Sequence, residues 1–166
     1  SSLKENQYAD FYREMINDMF GHYGLLFFNP DDTFCKHLFS PIMRNELEAR
    51  FTQNNVLRTE KIMSQMGIVP QAGHREINLF YIDEQDDRTR IIETNGRFHT
   101  TEGQDFGTLE HLKERISKEA QNFSPNVLLR PLYQEFILPN VAFVGGGAEI
   151  SYWMQLRLSF QSQNIS

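Results

Sequence analysis

The sequence predicts an α/β fold, and three features carry that expectation. Two short uninterrupted apolar runs, Leu25-Leu26-Phe27-Phe28 and Val141-Ala142-Phe143-Val144, read as strands buried on both faces, as in a parallel sheet. Segments with apolar residues at three- and four-residue steps flank both runs and read as helices. Between them, residues 70–105 turn to alternation around Asn95-Gly96, the pattern of an antiparallel meander. Two buried strands are too few for a doubly wound sheet. The expectation is therefore a partial α/β core with a small antiparallel β-rich insertion, part of something larger.

The elements follow in order. Tyr8, Phe11, Tyr12, Met15 and Met19 share one face of a first helix, and Gly21 and Gly24 supply its stop signals. Pro30 ends the first strand run and forces a turn. Asp32 or Thr33 can cap a helical stretch from Phe34 to Phe39. Ser40-Pro41 reads as an N-cap followed by proline at the first helical position. A long helix is then expected from Pro41 to Met66, with a break near Asn54-Asn55 and Gly67 as terminator. In the middle region Ile77, Leu79 and Tyr81 alternate, Asp83–Asp87 is a solvated turn, and Arg90-Ile91-Ile92 and Arg97–Thr100 flank the hairpin. Thr108 can cap a helix carrying Leu109, Leu112 and Ile116. Ser124-Pro125-Asn126 reads as a turn capping a helix over Val127–Leu138, which Pro139 stops. After the second strand run, Gly145-Gly146-Gly147 opens a helix from Ala148 to Phe160. The implied division is 1–69 for the first part of the core, 70–120 for the insertion and 121–166 for the second part.

Composition narrows the function classes. The chain has 166 residues, 40% hydrophobic and 23% charged, enough apolar material for a core. A net charge of −6 offers no basic excess for nucleic acid. The single cysteine, Cys35, excludes an internal disulfide framework and fits a reducing compartment. No run approaches the length of a membrane span, and the polar start Ser1-Ser2-Leu3-Lys4 is no signal peptide. A soluble, cytoplasmic chain without nucleic-acid or membrane partners is expected. The five histidines are scattered and no H-E-x-x-H or cysteine pair occurs, so no metal site is expected.

The glycine turn is the leading candidate for chemistry. A strand that feeds a glycine-rich turn and then a helix presents free N–H groups and the positive end of a dipole to an anion. Neither dinucleotide nor P-loop spacing is present, and glycines in such a turn are often purely conformational. Glu149 lies in the first turn of the following helix. It either complements the dipole or faces a ligand as an amine-binding group or base. Trp153 and Leu156 read as core, with Tyr152 and Gln155 as further ligand candidates. Arg130 sits among apolar residues and either snorkels or grips an anion. Asn126 is either a cap or a ligand contact. Asp31 and Asp32 read as turn and cap residues at the end of the first strand, where sites also concentrate.

Two long blocks carry a family resemblance. Phe123-Ser124-Pro125-Asn126-Val127-Leu128-Leu129-Arg130-Pro131-Leu132-Tyr133-Gln134-Glu135 and Leu138-Pro139-Asn140-Val141-Ala142-Phe143-Val144-Gly145-Gly146-Gly147-Ala148-Glu149-Ile150-Ser151-Tyr152-Trp153 resemble the bacillithiol biosynthesis cysteine-adding enzymes, the cysteine ligases. Gly24–Asp32 and Asn78-Leu79-Phe80-Tyr81 are similar to the same family. The resemblance implies a Rossmann-like nucleotide-binding core, of which this chain would be a central part. It further implies joining of cysteine to glucosaminyl-malate, with ATP as the possible activator of the cysteine carboxylate. A homodimer through a coiled coil is implied for the full-length family. The family's glycine-rich T-G-Q-Q-type motif, its acidic-histidine motif and its coiled coil are not in this chain, so catalysis by the chain alone is not expected. Gly145-Gly146-Gly147 stands where the family often has Gly-Gly-Pro. The expected site comprises Glu149 as the catalytic group, with Asn126, Arg130, Gly145, Gly146, Tyr152 and Gln155 binding substrate. The competing expectation is a non-catalytic α/β interaction module, which would bind no small anion.

Overall fold

The computed structural model describes residues 2–26 and 28–165. The chain divides into two units, Ser1–Pro30 and Asp31–Ser166. In the first, α1 spans Ser2–Phe20 and leads into a 3₁₀ turn, Gly21–Tyr23. Gly24 closes that turn at φ 81°, a left-handed conformation suited to glycine, and its N–H donates to Gly21 O at 2.9 Å. The predicted stripe Tyr8, Phe11, Tyr12, Met15 and Met19 lies on this helix and is exposed. Leu25, Leu26 and Phe28 form no strand, and Phe27 lies outside the described residues.

In the second unit, α2 (Thr33–Ala49) and α3 (Phe51–Gln65) precede β1 (Leu79–Ile82), β2 (Arg88–Thr94), β3 (Arg97–Thr100) and β4 (Asp105–Gly107). After these come α4 (Leu109–Lys118), β5 (Phe123–Pro125), α5 (Arg130–Ile137) and α6 (Gly147–Ser162). Asp32 caps α2 as expected, its Oδ1 accepting from Cys35 N at 2.9 Å. The helix does not restart at Ser40-Pro41 but runs through them. Phe39, Ile42, Met43 and Leu47 are buried on both sides of Pro41. Burying those side chains at ~1.5–3 kcal/mol each outweighs the ~3 kcal/mol of an internal proline. The break falls at Arg50 rather than Asn54-Asn55. Arg50 is left-handed at φ 49°, and its guanidinium pairs with Glu93 on β2 and lies 5.4 Å from the Phe98 ring centroid. A tertiary anchor thus fixes where the helix bends.

The sheet has five strands in the order β4-β3-β2-β1-β5, with every pairing antiparallel. Asn95 and Gly96, at φ 53° and 76°, form the predicted hairpin turn, with Thr94 opposite Arg97. β5 has no sequence signal of its own. Its three residues pair with β1, Phe80 opposite Ser124, so the residues expected to be only a turn are a sheet edge followed by a cap. Thr108 caps α4, and Leu112 and Ile116 are buried. Phe106, Phe123 and Tyr81 pack edge-on or tilted within 5.1–6.2 Å beside them. α3 packs along α6, with Val56, Met63 and Leu156 buried.

Val141–Val144 is not a strand. Val141 and Val144 are fully exposed, and no described strand lies beside them to complete a ladder. Apolar character alone does not make a strand; a hydrogen-bonding neighbour does. The α/β class stands, with the described strands all in the antiparallel sheet. Among the described residues no helix is long and apolar enough to cross a membrane.

Candidate functional site

The site is built from the segment that leaves β5. Asn126 N donates to Asn78 O at 2.9 Å, extending the β1–β5 pairing by one residue. The Asn126 side chain then turns the chain: its Oδ1 accepts from Leu128 N at 2.9 Å and Leu129 N at 3.2 Å. Its Nδ2 donates to Asn78 Oδ1 at 2.7 Å. Asn78 is fully buried and donates to Glu46 Oε1 at 2.7 Å and to Arg75 O at 3.0 Å. Glu46, also fully buried, accepts from Thr52 N through its other oxygen at 3.1 Å. Burial pushes the Glu46 carboxyl above its usual range, and bonds from Asn78 and Thr52 and the Arg50 charge oppose that. This chain of polar groups links α2, α3, β1 and β5. It makes Asn126 the cap of the turn that aims Arg130.

Arg130 opens α5, its N–H donating to Asn126 O at 2.9 Å. Its guanidinium is exposed and makes no hydrogen bond or ion pair among the described residues. Gln134, four residues on, instead donates to Glu135 Oε1 at 3.3 Å. Glu135 is buried and accepts from Asn140 N at 3.0 Å and Asn140 Nδ2 at 2.7 Å. It holds the start of the segment that leads to the glycine turn.

None of the three glycines in that turn has positive φ, so backbone freedom is not why they are there. At Gly145 the reason is close approach: a Cβ would lie 2.7 Å from a Phe143 ring carbon and 2.9 Å from Glu149 Oε2. Gly146 and Gly147 face open space. Gly146 is the N-cap of α6 and supplies no side-chain bond, which leaves the first N–H groups of that helix without a side-chain cap. Glu149 therefore lies against the turn itself, a carboxylate at the positive end of the helix. Tyr152, one turn along, donates its hydroxyl to Val127 O, and burial pushes its pKa up. This bond ties α6 to the loop that carries Asn126 and Arg130. Trp153 stacks on Phe143 at 3.9 Å and faces Phe160 at 5.4 Å.

Gln155 is placed differently. It is fully buried, its Oε1 accepts from Gln71 N and Ala72 N at 3.2 Å each, and its Nε2 donates to Glu60 Oε1 at 2.9 Å and Ala72 O at 2.6 Å. Both atoms are engaged in holding residues 71–72 against α3 and α6.

Charged groups at the starts of α2 and α5 complete the region. Lys36 is buried, donating to Gln121 O at 2.9 Å and pairing with Asp31 at 3.0 Å. Burial, and then the charges of Cys35, Asp31 and Asp32, raise the pKa of Tyr133. Arg130 opposes them, which places all of these groups within one electrostatic neighbourhood. Burial also pushes the Cys35 thiol up, disfavouring a reactive thiolate. Arg88 was not legible as a site residue in the sequence. It starts β2, donates to Ser124 Oγ at 3.0 Å and Pro125 O at 3.2 Å, and lies 4.8 Å from the Phe80 ring centroid. Its hydrogen-bond partners stand more than thirty residues away, so no local pattern marks it. Among the described residues no cluster of three or more His, Cys, Asp or Glu side chains could hold a metal ion.

The comparisons with known proteins agree along the full chain. The model of the family described as "Bacillithiol biosynthesis BshC, N-terminal Rossmann-like domain" matches residues 1–166. A relative from Flavobacterium psychrophilum, named "Putative cysteine ligase BshC", is 40% identical over 167 residues, covering 100% of this chain and 31% of the relative. Relatives of the same name from Flavobacterium johnsoniae and Christiangramia forsetii are 37% and 35% identical over 164 residues, each covering 99% of this chain and 30% of the relative. The chain spans about 30% of the length of these relatives. With the family model matched from end to end, the chain belongs to the BshC family of bacillithiol biosynthesis, in the region of its N-terminal Rossmann-like domain.

Proposed function

We propose that this chain forms part of the substrate-binding face of a ligase that joins the carboxyl group of cysteine to the amine of glucosaminyl-malate. The observation that carries the reading is the end-to-end match to a family whose named relatives are cysteine ligases. The local geometry supports it. Amide formation from a carboxylate needs an activated acyl group, because a carboxylate is a poor electrophile. ATP, as co-substrate, would supply that activation. The uncapped first N–H groups of α6, with open space at Gly146 and Gly147, fit a phosphate or carboxylate oxygen. Glu149 lies beside them and suits an amine: it would orient the sugar amine and accept its proton. Arg130, unpaired at the start of α5, would grip a carboxylate through two parallel N–H bonds. Asn126 and Tyr152 then act on the ligand through backbone geometry, and Gln155 by fixing residues 71–72.

The test is ligation by the full-length polypeptide carrying Arg130→Ala or Glu149→Gln. Loss of kcat/KM by about tenfold or more in each is expected if a charge-assisted bond is removed. Unchanged rate and affinity in both would overturn the assignments. A second reading, an interaction module, draws on the exposed Val141 and Val144. It is favoured only if the full-length polypeptide binds neither malate nor ATP.

A further inference from the structure

We infer that Arg88 and Arg130 together form a subsite for a small dianion, either a dicarboxylate or a phosphate monoester. The inference rests on the reading of Arg130 given above and adds a second guanidinium to it. Arg88 lies on the sheet face shared with Phe80 and Ser124, which are diagonal to it across β1 and β5. Its Nη2 is engaged by Ser124 Oγ and Pro125 O, and its guanidinium carbon lies over the Phe80 ring, 4.8 Å from the centroid. Ser124 is itself buried, so the guanidinium is held on a rigid support. The remaining donors of Arg88, on Nε and Nη1, have no hydrogen-bond partner among the described residues, and Arg88 is an exposed residue. Those of Arg130, five residues beyond Pro125, have none either.

The two arginines feel each other's charge. Burial and then Arg130 pull Arg88 below the ordinary arginine value. Asp31 opposes this and also pairs with Lys36 at 3.0 Å. Two like charges with planar donors to spare, in a chain whose net charge is −6, make a local positive pole in which Asp31, shared with Lys36, is the opposing charge. Guanidinium forks match the paired oxygens of carboxylate and phosphate. The α6 N–H groups suit a single anionic oxygen, but Glu149 beside them disfavours a second negative charge there, so the two charges of a dianion are better received between the arginines.

The experiment is calorimetric titration of the full-length polypeptide with L-malate and, separately, inorganic phosphate. The parent and the Arg88→Ala, Arg88→Lys, Arg130→Ala and double variants are compared, with melting curves for each. The expected result is saturable binding of one probe, weakened about tenfold or more by each alanine variant. Arg88→Lys should recover only part of the loss, and the double variant should lose less than the sum of the singles. Binding of malate alone assigns the site to a dicarboxylate; binding of phosphate alone assigns it to a phosphate monoester. Unchanged affinity in Arg88→Ala with a loss in Arg130→Ala overturns this inference and leaves the proposed role of Arg130 standing. Unchanged affinity in both overturns the two together, and no binding of either probe by the parent overturns the subsite. Should Arg88→Ala melt well below the parent, Arg88→Lys, which keeps the positive charge, decides: parent-like affinity there overturns the two-fork geometry.

Discussion

Replacing Asn126 by alanine removes three hydrogen bonds, those from Leu128 N and Leu129 N to Oδ1 and that from Nδ2 to Asn78 Oδ1. Losing a side-chain cap costs about 0.5–2 kcal/mol. Asn78 is fully buried, and its carbonyl oxygen left without that donor costs about 1–3 kcal/mol more. The expected destabilisation is about 2–4 kcal/mol, a drop in Tm of about 5–15 °C for a chain of this size. Thermal unfolding followed by circular dichroism measures it. Asn126→Asp keeps the acceptor for both N–H groups but loses the donor to Asn78 and places a carboxylate beside Asn78 Oδ1, so it should also destabilise. The assay separates the two roles open to Asn126. A cap lowers Tm, whereas a ligand contact raises KM in the full-length polypeptide with Tm unchanged. A fall of less than about 2 °C in Asn126→Ala would refute the buried-network argument.

Glu46 gives a pH prediction of the opposite sign to most carboxylates. Its folded pKa is raised above the ordinary 4.5, so its contribution to stability is present below that value and is lost as pH rises through the folded pKa. Glu46→Gln should remove this downward slope from a stability–pH curve; an identical slope in parent and variant would contradict the burial assignment. Gly145→Ala must displace the Phe143 ring and the Glu149 carboxylate and should cost about 1–3 kcal/mol. Gly147→Ala meets nothing and should be neutral or stabilise by about 0.4–1 kcal/mol. Urea unfolding that places the two variants in the reverse order would sink the close-approach account. Tyr152→Phe loses the bond to Val127 O, and a cost of about 0.5–1.5 kcal/mol in the same assay is expected. No loss would mean that the bond does not anchor α6 to the Asn126–Arg130 loop.

How much of the site was legible follows from the range of the interactions involved. Arg130, Glu149 and Gly145 stand out because a charge at a helix start and a glycine turn are patterns within a few residues. Asn126 carried two readings in the sequence, and the structure engages its oxygen as a cap. Gln155 is a ligand candidate in the sequence, whereas in the structure it is buried with both side-chain polar atoms engaged. Its partners at Gln71, Ala72 and Glu60 lie more than eighty residues away, and nothing near it in sequence signals them. Arg88 was invisible for the same reason: a strand residue acquires meaning from its cross-strand neighbours.

By itself the sequence determined the local punctuation: the Asp32 and Thr108 caps, the Asn95-Gly96 hairpin turn, the Gly67 stop at φ 72° and the helical periods. These depend on contacts within about four residues and on allowed backbone angles, so residue type is sufficient information. The tertiary structure alone decided that α2 runs through Pro41 and bends at Arg50, that Phe123–Pro125 is an edge strand, and that Val141–Val144 is none. A strand exists only with a hydrogen-bonding neighbour, and a proline is tolerated only where burial on both sides outweighs the lost bond. Both conditions are set by chain segments distant in sequence.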